Sequence, residues 1–451
     1  MACAQTGSLL DHFSVLRDPR QGGKVLYPLP EILLLVLCAT LAGANDFVAT
    51  RLWGERALPF LRRFLPYDDG LPSHDTLSDV MNALDPELFK ECFLGWVETL
   101  RSSPTEADGP EIIAVDGKTS RRTHNRAKGR EPLHLVSAWA CGQRLVLGQE
   151  ATTDKSNEIT AIPRLLERLA LEGALVTIDA MGTQTEIART IRRKGGDYLL
   201  ALKENWPATH AEVEKAFADP KTTLERSKTV DADHGRIEVR RHAVCHNVGF
   251  LYSDRRHPGE FAMPDVAMIG MVESRTERSG KIEHERRYYL CSIKLDAETF
   301  GRAVRSHWHV ENRLHWILDV VFHDDLARLR SGHGPENMAV VKHMALNLLQ
   351  KASPTTSSGT AGISQAGAST TSTASSAKPP EPPSSDSPAC QSVPEARRGA
   401  SWGRSIRPSG TARSRGRAPP ACGGSYAPSR PRPGNRRGRT RSRSVPGDAC
   451  R

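Results

Sequence analysis

The sequence predicts an α/β protein. A mostly helical N-terminal domain spans residues 1–102, an α/β domain with a β-rich insertion at about 203–295 spans 110–351, and a disordered tail spans 352–451. Three observations carry this reading. Apolar residues recur at helical spacing up to about Arg101, and short β-branched runs then alternate with helical patterns in the order βββαβαβ. After Lys351 the chain turns Ser/Thr/Ala/Pro-rich and then Arg/Gly/Pro/Ser-rich, with almost no Leu, Ile or Phe.

The elements follow in chain order. Ile32–Gly43 is the most apolar run, preceded by Pro28 and Pro30 at positions that suit a helix start. It is well short of the roughly 20 residues a bilayer span needs, so it reads as a buried core helix. Charged residues from Asp11 to Lys24 interrupt any signal-peptide core, and a soluble, unexported protein is expected. Phe60–Leu65 and Leu88–Leu100 also show helical spacing, with caps expected at Ser73 and Asp85. Ser103–Pro110 is a turn-rich linker. Strands are expected at Ile112–Val115, Leu133–Ala140 and Arg144–Gly148, the last two joined by a turn at Cys141-Gly142. Ser156 or Asn157 caps a helix to about Leu171; Ala174–Ile178 and Tyr198–Leu202 are strands flanking a helix over Thr185–Lys194. Arg236–Val244, Val266–Val272 and Glu285–Ile293 are strand candidates in the insertion. Asp296 caps a long helix running to about Val321, and a last helix covers Pro335–Gln350.

The 451 residues exclude a disulfide-stapled miniprotein. The net charge of +10 is uneven: residues 352–451 hold fifteen Arg and one Lys against four acids, which leaves the body at −2. Basicity therefore says nothing about the folded part. Such a tail cannot bury enough apolar area to offset its ordering entropy. Cys3, Cys38, Cys92, Cys141, Cys245 and Cys291 are widely spaced and form no Cys-x-x-Cys, which argues against a zinc knuckle or disulfide framework and fits a reducing cytoplasm.

Chemistry is expected at three acids. Asp116 closes an apolar strand in Ile-Ile-Ala-Val-Asp-Gly-Lys, and Asp179 closes another in Leu-Val-Thr-Ile-Asp-Ala-Met-Gly. Strands that end alike bring two carboxylates together, and Gly117 lets a ligand approach the backbone. Glu311 lies in His-Trp-His-Val-Glu-Asn-Arg-Leu-His-Trp-Ile-Leu-Asp, where helical spacing puts it on one face with His307 and His315, a face expected to pack toward the sheet and bury the carboxylate. Cations bridged by Asp116, Asp179 and Glu311 would relieve the cost of gathering these charges. Hard oxygen donors suit Mg²⁺ or Mn²⁺, and a pair of ions can activate water and stabilise the leaving oxygen of a phosphodiester. Taken singly, an Asp at a strand end is more often a turn former or a cap, and Glu311 could pair with Arg305 or His315. After Asp116 come Lys118, Arg121, Arg122, Arg126, Lys128 and Arg130 with no acid among them, a basic loop suited to drawing phosphates toward carboxylates. By charge alone a solvated surface loop is the lesser but competing reading, and the adjacent Asp116 favours the functional one. The six histidines from His307 to His343 lack Cys partners or a His-Glu-x-x-His pattern, so capping, stacking and core roles are expected of them.

Ala-Val-Asp-Gly-Lys, Lys-Ser-Asn-Glu-Ile-Thr-Ala-Ile-Pro, Thr-Ile-Asp-Ala-Met-Gly-Thr-Gln, Tyr-Leu-Leu-Ala-Leu-Lys-Glu-Asn and the Glu311 segment occur in that order. Over roughly Leu9–Leu349 the chain resembles the H-repeat-associated insertion-sequence transposases, a branch of the bacterial DDE group. The resemblance implies a ribonuclease-H-like catalytic domain in which Asp116, Asp179 and Glu311 form the DDE triad around Mg²⁺ or Mn²⁺, two ions in all. It implies hydrolysis at transposon ends, then attack of the freed 3′-hydroxyl on target DNA. The partners implied are terminal inverted repeats and target DNA, bound by a homodimer in a bacterial cytoplasm and nucleoid, with the N-terminal helices contributing to end binding or assembly.

Two departures from that pattern stand out. Val304, His307 and Leu318 occupy places where related transposases carry Tyr, Arg and Lys, so phosphate contacts on this helix fall to Arg305, Arg313 or the histidines. The family's short basic ending is also replaced by the long tail. One permitted codon set for Ser358–Ser372, read in a shifted frame, spells such an ending, which suggests a frameshift near Ser357. Two alternatives stand beside the transposase: a nuclease of the same fold that cuts without joining, and an inactive DNA-binding remnant.

Overall fold

The computed structural model describes residues 8–101, 109–124, 129, 131–152, 158–203, 205–233, 236–252, 263–278 and 281–352. The tail, Arg126, Lys128, Arg130, the Ser156 and Asn157 caps and most of the 103–110 linker lie outside them.

The N-terminal region is helical: α1 (Leu9–Ser14), α2 (Leu29–Leu41), α3 (Phe47–Leu61), α4 (His74–Ala83) and α5 (Pro86–Leu100). Helix α2 is apolar nearly all round and is buried along its length, as its composition predicts. Its one acid, Glu31, is satisfied by accepting the Tyr67 backbone N–H at 2.7 Å. Ser73 and Asp85 cap α4 and α5 as expected, each accepting a backbone N–H from the first turn. Of the helix expected over Phe60–Leu65, only Phe60 and Leu61 are helical, as the end of α3, which begins at Phe47 behind the Asp46 cap; a turn follows.

The body is one nine-stranded sheet. Its strands are β1 (Glu111–Ser120), β2 (Leu133–Ala140), β3 (Leu145–Thr152), β4 (Ala174–Ile178), β5 (Asp197–Leu202), β6 (Glu225–Asp233), β7 (Arg236–Cys245), β8 (Met268–Arg278) and β9 (Lys281–Cys291), in the order β3-β2-β1-β4-β5-β9-β8-β7-β6. β1, β4 and β5 are parallel, and every other neighbouring pair is antiparallel. The first five strands, three antiparallel and then two parallel, form the ribonuclease-H-like core. The insertion is not a separate layer. β9 pairs with the edge of β5, Leu199 opposite Cys291, and extends the same sheet.

Helices α6 (Glu158–Arg168), α7 (Thr185–Arg193), α8 (Pro207–Ala218), α9 (Ala297–His309), α10 (Trp316–Val320) and α11 (Gly334–Ala352) complete the fold. α8 and β6 were not legible as elements in the sequence. The long helix after Asp296 is broken into α9, a π-helical turn over Val310–His315, and α10. Asp296 caps it, accepting the Thr299 N–H at 2.7 Å. Phe300, Ala303 and Val304 of α9 pack on Leu175, Leu199, Val244, Met268 and Tyr289, so the helix lies across the junction between core and insertion strands. A larger core joins the N-terminal helices, α6, α7, α11 and the first strands. Among the described residues no helix is long and apolar enough to cross a membrane, and the described cysteines are free thiols.

Candidate active site

The site is built where β1 and β4 part. Their parallel register ends with Val115 opposite Ile178, so Asp116 and Asp179 take the next position along two adjacent strands about 4.8 Å apart. Asp116 does not end its strand as expected. β1 runs on to Ser120 because β2 continues to pair with it, Asp116 opposite Ser137, after the parallel neighbour has stopped. The apolar run ends at Val115 because only there does the strand lose its second partner.

Glu311 arrives from the π-helical turn, together with His315. His315 Nδ1 lies 3.3 Å from Glu311 Oε2 and 3.8 Å from Asp116 Oδ2, and one donor atom from each of the three residues falls within 4.8 Å of the others. Asp179 is not a member of that group. Its Oδ1 accepts the backbone N–H groups of Met181 and Gly182 at 3.1 Å each, an Asx-type turn that fixes the carboxylate at the strand end. His307, one helical turn before Glu311, is hydrogen-bonded to Thr177 Oγ1 at 3.0 Å and has Asp179 and Glu311 as charged neighbours.

The sequence places the burial cost on Glu311; the structure moves it to Asp116. The Glu311 side chain is 56% exposed, whereas that of Asp116 is 18% exposed. Burial therefore drives the Asp116 carboxyl well above the ordinary range, with the His315 ring opposing and the Glu311 charge adding to the rise. Glu311 is held low by the hydrogen bond from His315, and Asp116, when protonated, donates to it as well.

Behind the site, on the opposite face of β1, Glu158 Oε1 and His134 Nε2 are hydrogen-bonded at 2.6 Å, and His134 Nδ1 meets Thr119 Oγ1 at 2.7 Å. These groups press on Gly117 so closely that a Cβ there would stand 2.7 Å from His134 Nε2. Gly117 is thus required by packing behind the strand, not by ligand approach in front of it.

The basic residues separate. Lys118 is nearly buried and bonded to Asp319 at 2.7 Å, with Asp325 at 3.6 Å and Asp324 at 3.9 Å, so it neutralises a local acidic cluster and is not presented for phosphate contact as the sequence suggests. Its strand position points it to the same face as Asp116, into the loop that follows α10. Arg121 is 81% exposed and reaches Asp325 at 3.3 Å; Arg122 is exposed, and its carbonyl accepts from Arg330. Arg305 is half-exposed, 3.6 Å from Asp231. Arg313 is partly buried, and that burial, with the positive charge of Arg144 beside it, lowers the Arg313 pKa. Sequence reasoning did not single out Arg144, Glu158 with His134, or the Asp319–Asp325 cluster. It placed His315 beside Glu311 as a possible pairing partner, as the four-residue spacing joins them, but did not bring it to Asp116.

The family model described as "Transposase DDE domain" matches residues 107–348, and the model described as "DDE_Tnp_1-associated" matches residues 10–97. The H repeat-associated transposase candidate YhhI of Escherichia coli K12 is 38% identical over 349 residues, 76% of this chain and 90% of the relative. YbfL of the same strain is 37% identical over the same shares. The transposase candidate YncI of Escherichia coli O157:H7 is 38% identical over 348 residues, 76% of this chain and 87% of the relative.

Proposed function

This chain belongs to the DDE-domain transposases, in their H repeat-associated group, and on that premise we propose that it cuts DNA at the ends of an insertion sequence and joins the freed 3′ ends to target DNA. The observation that carries the reading is the meeting of Asp116 and Glu311, 195 positions apart in the chain, beside the Asp179 strand end.

Asp116, Asp179 and Glu311 are proposed as the metal-holding and catalytic acids. The donor set fits: carboxylate oxygens suit Mg²⁺ or Mn²⁺, and a carboxyl that burial, with the Glu311 charge beside it, drives toward its protonated form makes a locus where divalent charge is favourable. Bound there, such cations would polarise the scissile phosphate and lower the pKa of the attacking water or 3′-hydroxyl. The chain's own part is placement. The Met181 and Gly182 amides hold one oxygen of Asp179 and leave the other for a ligand. The π-helical turn carries Glu311 over the sheet, and His315 Nδ1, from inside the site, holds its carboxylate by a hydrogen bond at 3.3 Å. Arg121, Arg122, Arg305 and Arg313, with Arg126, Lys128 and Arg130 of the loop, are proposed DNA contacts, since the acids would otherwise repel the backbone. Terminal repeats and target DNA are the proposed partners, two copies of the chain the assembly that holds both ends, and the bacterial cytoplasm and nucleoid the place of action.

The test is cleavage and joining with DNA carrying the element's own ends in Mg²⁺ or Mn²⁺. Asp116→Asn, Asp179→Asn and Glu311→Gln should each abolish both products while end binding persists. Full activity in all three would refute the assignment, and nicking without joined product in the unmodified protein would make it a nuclease.

A further inference from the structure

The imidazole of His315 faces the two carboxylates of the site as a third donor, not as a bystander on the helix. Its Nδ1 stands 3.3 Å from Glu311 Oε2 and 3.8 Å from Asp116 Oδ2. Neighbouring donor atoms around an octahedral ion with bonds of about 2.1–2.2 Å are about 3 Å apart, so the two distances from Nδ1 come near the spacing one ion would impose, and all three atoms lie within 4.8 Å of one another. The ring has little freedom to point elsewhere: its side chain is 7% exposed, and it is flanked by the buried Leu314 and Ile317. The wide turn of the π-helical segment suits this, because it brings residues four apart nearer to the same side of the helix than an α-helical turn does.

In the metal-free protein Nδ1 carries the proton that it donates to Glu311 Oε2 at 3.3 Å, so an ion held there would take that proton's place and leave the ring's one proton on Nε2. Nε2 of His315 is buried and has no hydrogen-bond partner among the described residues, so no other group holds the ring by that side. His307 differs. It shares the helix and the sheet end, but its Nδ1 is engaged with Thr177 Oγ1 at 3.0 Å. It serves as the internal control.

We infer that His315 is a metal ligand, its Nδ1 forming with one oxygen each of Asp116 and Glu311 a mixed nitrogen–oxygen site for one divalent cation, which the protein binds more tightly as Mn²⁺ than as Mg²⁺. The preference follows from the donors. Carboxylates accept either ion, but an imidazole nitrogen suits the transition metal better, and affinity at mixed sites rises along the transition series. The inference rests on the proposed role of Asp116 and Glu311 as metal-holding acids and adds to it a residue that role did not include.

The test uses the full chain with Mn²⁺ alone, without DNA, read by electron paramagnetic resonance for binding and by pulsed measurement for coupling to a ligand nitrogen. Bound Mn²⁺ should show one imidazole nitrogen, and the signal should change on labelling the protein with ¹⁵N-histidine. His315→Ala and the milder His315→Asn should remove the coupling and weaken Mn²⁺ binding at least about tenfold, while His307→Ala leaves the coupling in place. Thermal melting of each variant separates loss of ligand from loss of fold. Should both His315 variants melt early, the labelled wild-type protein and His307→Ala still decide. Mn²⁺ held through oxygens only, or nitrogen coupling that survives His315→Asn, would overturn the inference and leave the role of the acids standing. Mn²⁺ binding unchanged by Asp116→Asn would instead remove the acids' role itself.

Discussion

Asp116 bears the electrostatic strain of the site. Its carboxyl is buried and faces Glu311, so in the metal-free protein its folded pKa lies above its ordinary value of 3.8. The folded state then holds a proton that the unfolded chain releases. That contribution is complete below the unfolded value and is lost as pH rises through the folded one. Asp116→Asn removes the loss. In chelator, the variant should be more stable than wild type at pH 8, by on the order of 1–3 kcal/mol in urea unfolding, and the gain should fade below about pH 4. Glu311 works in the opposite sense, since its depressed pKa adds stability above its unfolded value that is lost on acidification, but it is more than half exposed and solvent weakens the effect. A variant no more stable at pH 8 than at pH 4, relative to wild type, would show that Asp116 is ionised without cost. The neighbouring residue makes a second, independent demand. Gly117→Ala pushes a methyl into the Glu158–His134 pair, and overpacking of this kind costs about 1–3 kcal/mol. Because the strain falls on the strand that carries Asp116, cleavage should be lost beyond what the stability change explains. Activity equal to wild type would mean that the pair yields freely.

At the scale of elements, two junctions set the geometry. One is the ion knot at Lys90, where the 2%-exposed ammonium of α5 meets Glu87 at 2.7 Å, Glu150 of β3 at 3.1 Å and Glu336 of α11 at 3.3 Å. Carboxylates left there without their cation are expensive. Lys90→Met should therefore cost about 3–5 kcal/mol, and a change under about 1 kcal/mol in urea unfolding would mean that Arg164 and Arg168 make good the loss. The other junction is the bed of α9. Gly270 of β8 leaves room for the Phe300 ring, and Gly301 lets the helix approach His242, where a Cβ would sit 2.8 Å from the imidazole. Gly301→Leu should lift α9 off the insertion strands and carry Glu311 away from Asp116. DNA cleavage should fall at least about tenfold while circular dichroism still reports a folded sheet. Undiminished cleavage would show that the π-helical turn places Glu311 without help from α9. Neither junction was legible beforehand, because each joins residues from distant parts of the chain, and the sequence offers only a lone lysine and two ordinary glycines.

For the molecule as a whole, charge and fold divide at different places. Residues 1–351 carry a net −2 and residues 352–451 a net +12, so any DNA affinity of the first part must come from local clusters such as those near Arg121 and Arg313. Truncation after Ala352 should weaken nonspecific DNA binding and flatten its dependence on salt, while the melting temperature stays within about 2 °C. A salt slope unchanged by truncation would assign the binding to the body. The strand order βββαβαβ, the buried α2, the caps at Ser73, Asp85 and Asp296, and the strand end at Asp179 were all determined by the sequence alone, because periodicity, capping chemistry and apolar runs are local properties of the chain. Only the tertiary structure decided that β9 would extend the β5 edge, that Lys118 would be consumed by Asp319, Asp324 and Asp325, that Asp116 and not Glu311 would be buried, and that His315 would face both of them. Those outcomes depend on which distant groups come within a few ångströms and how much water remains between them. No one-dimensional pattern encodes that distance.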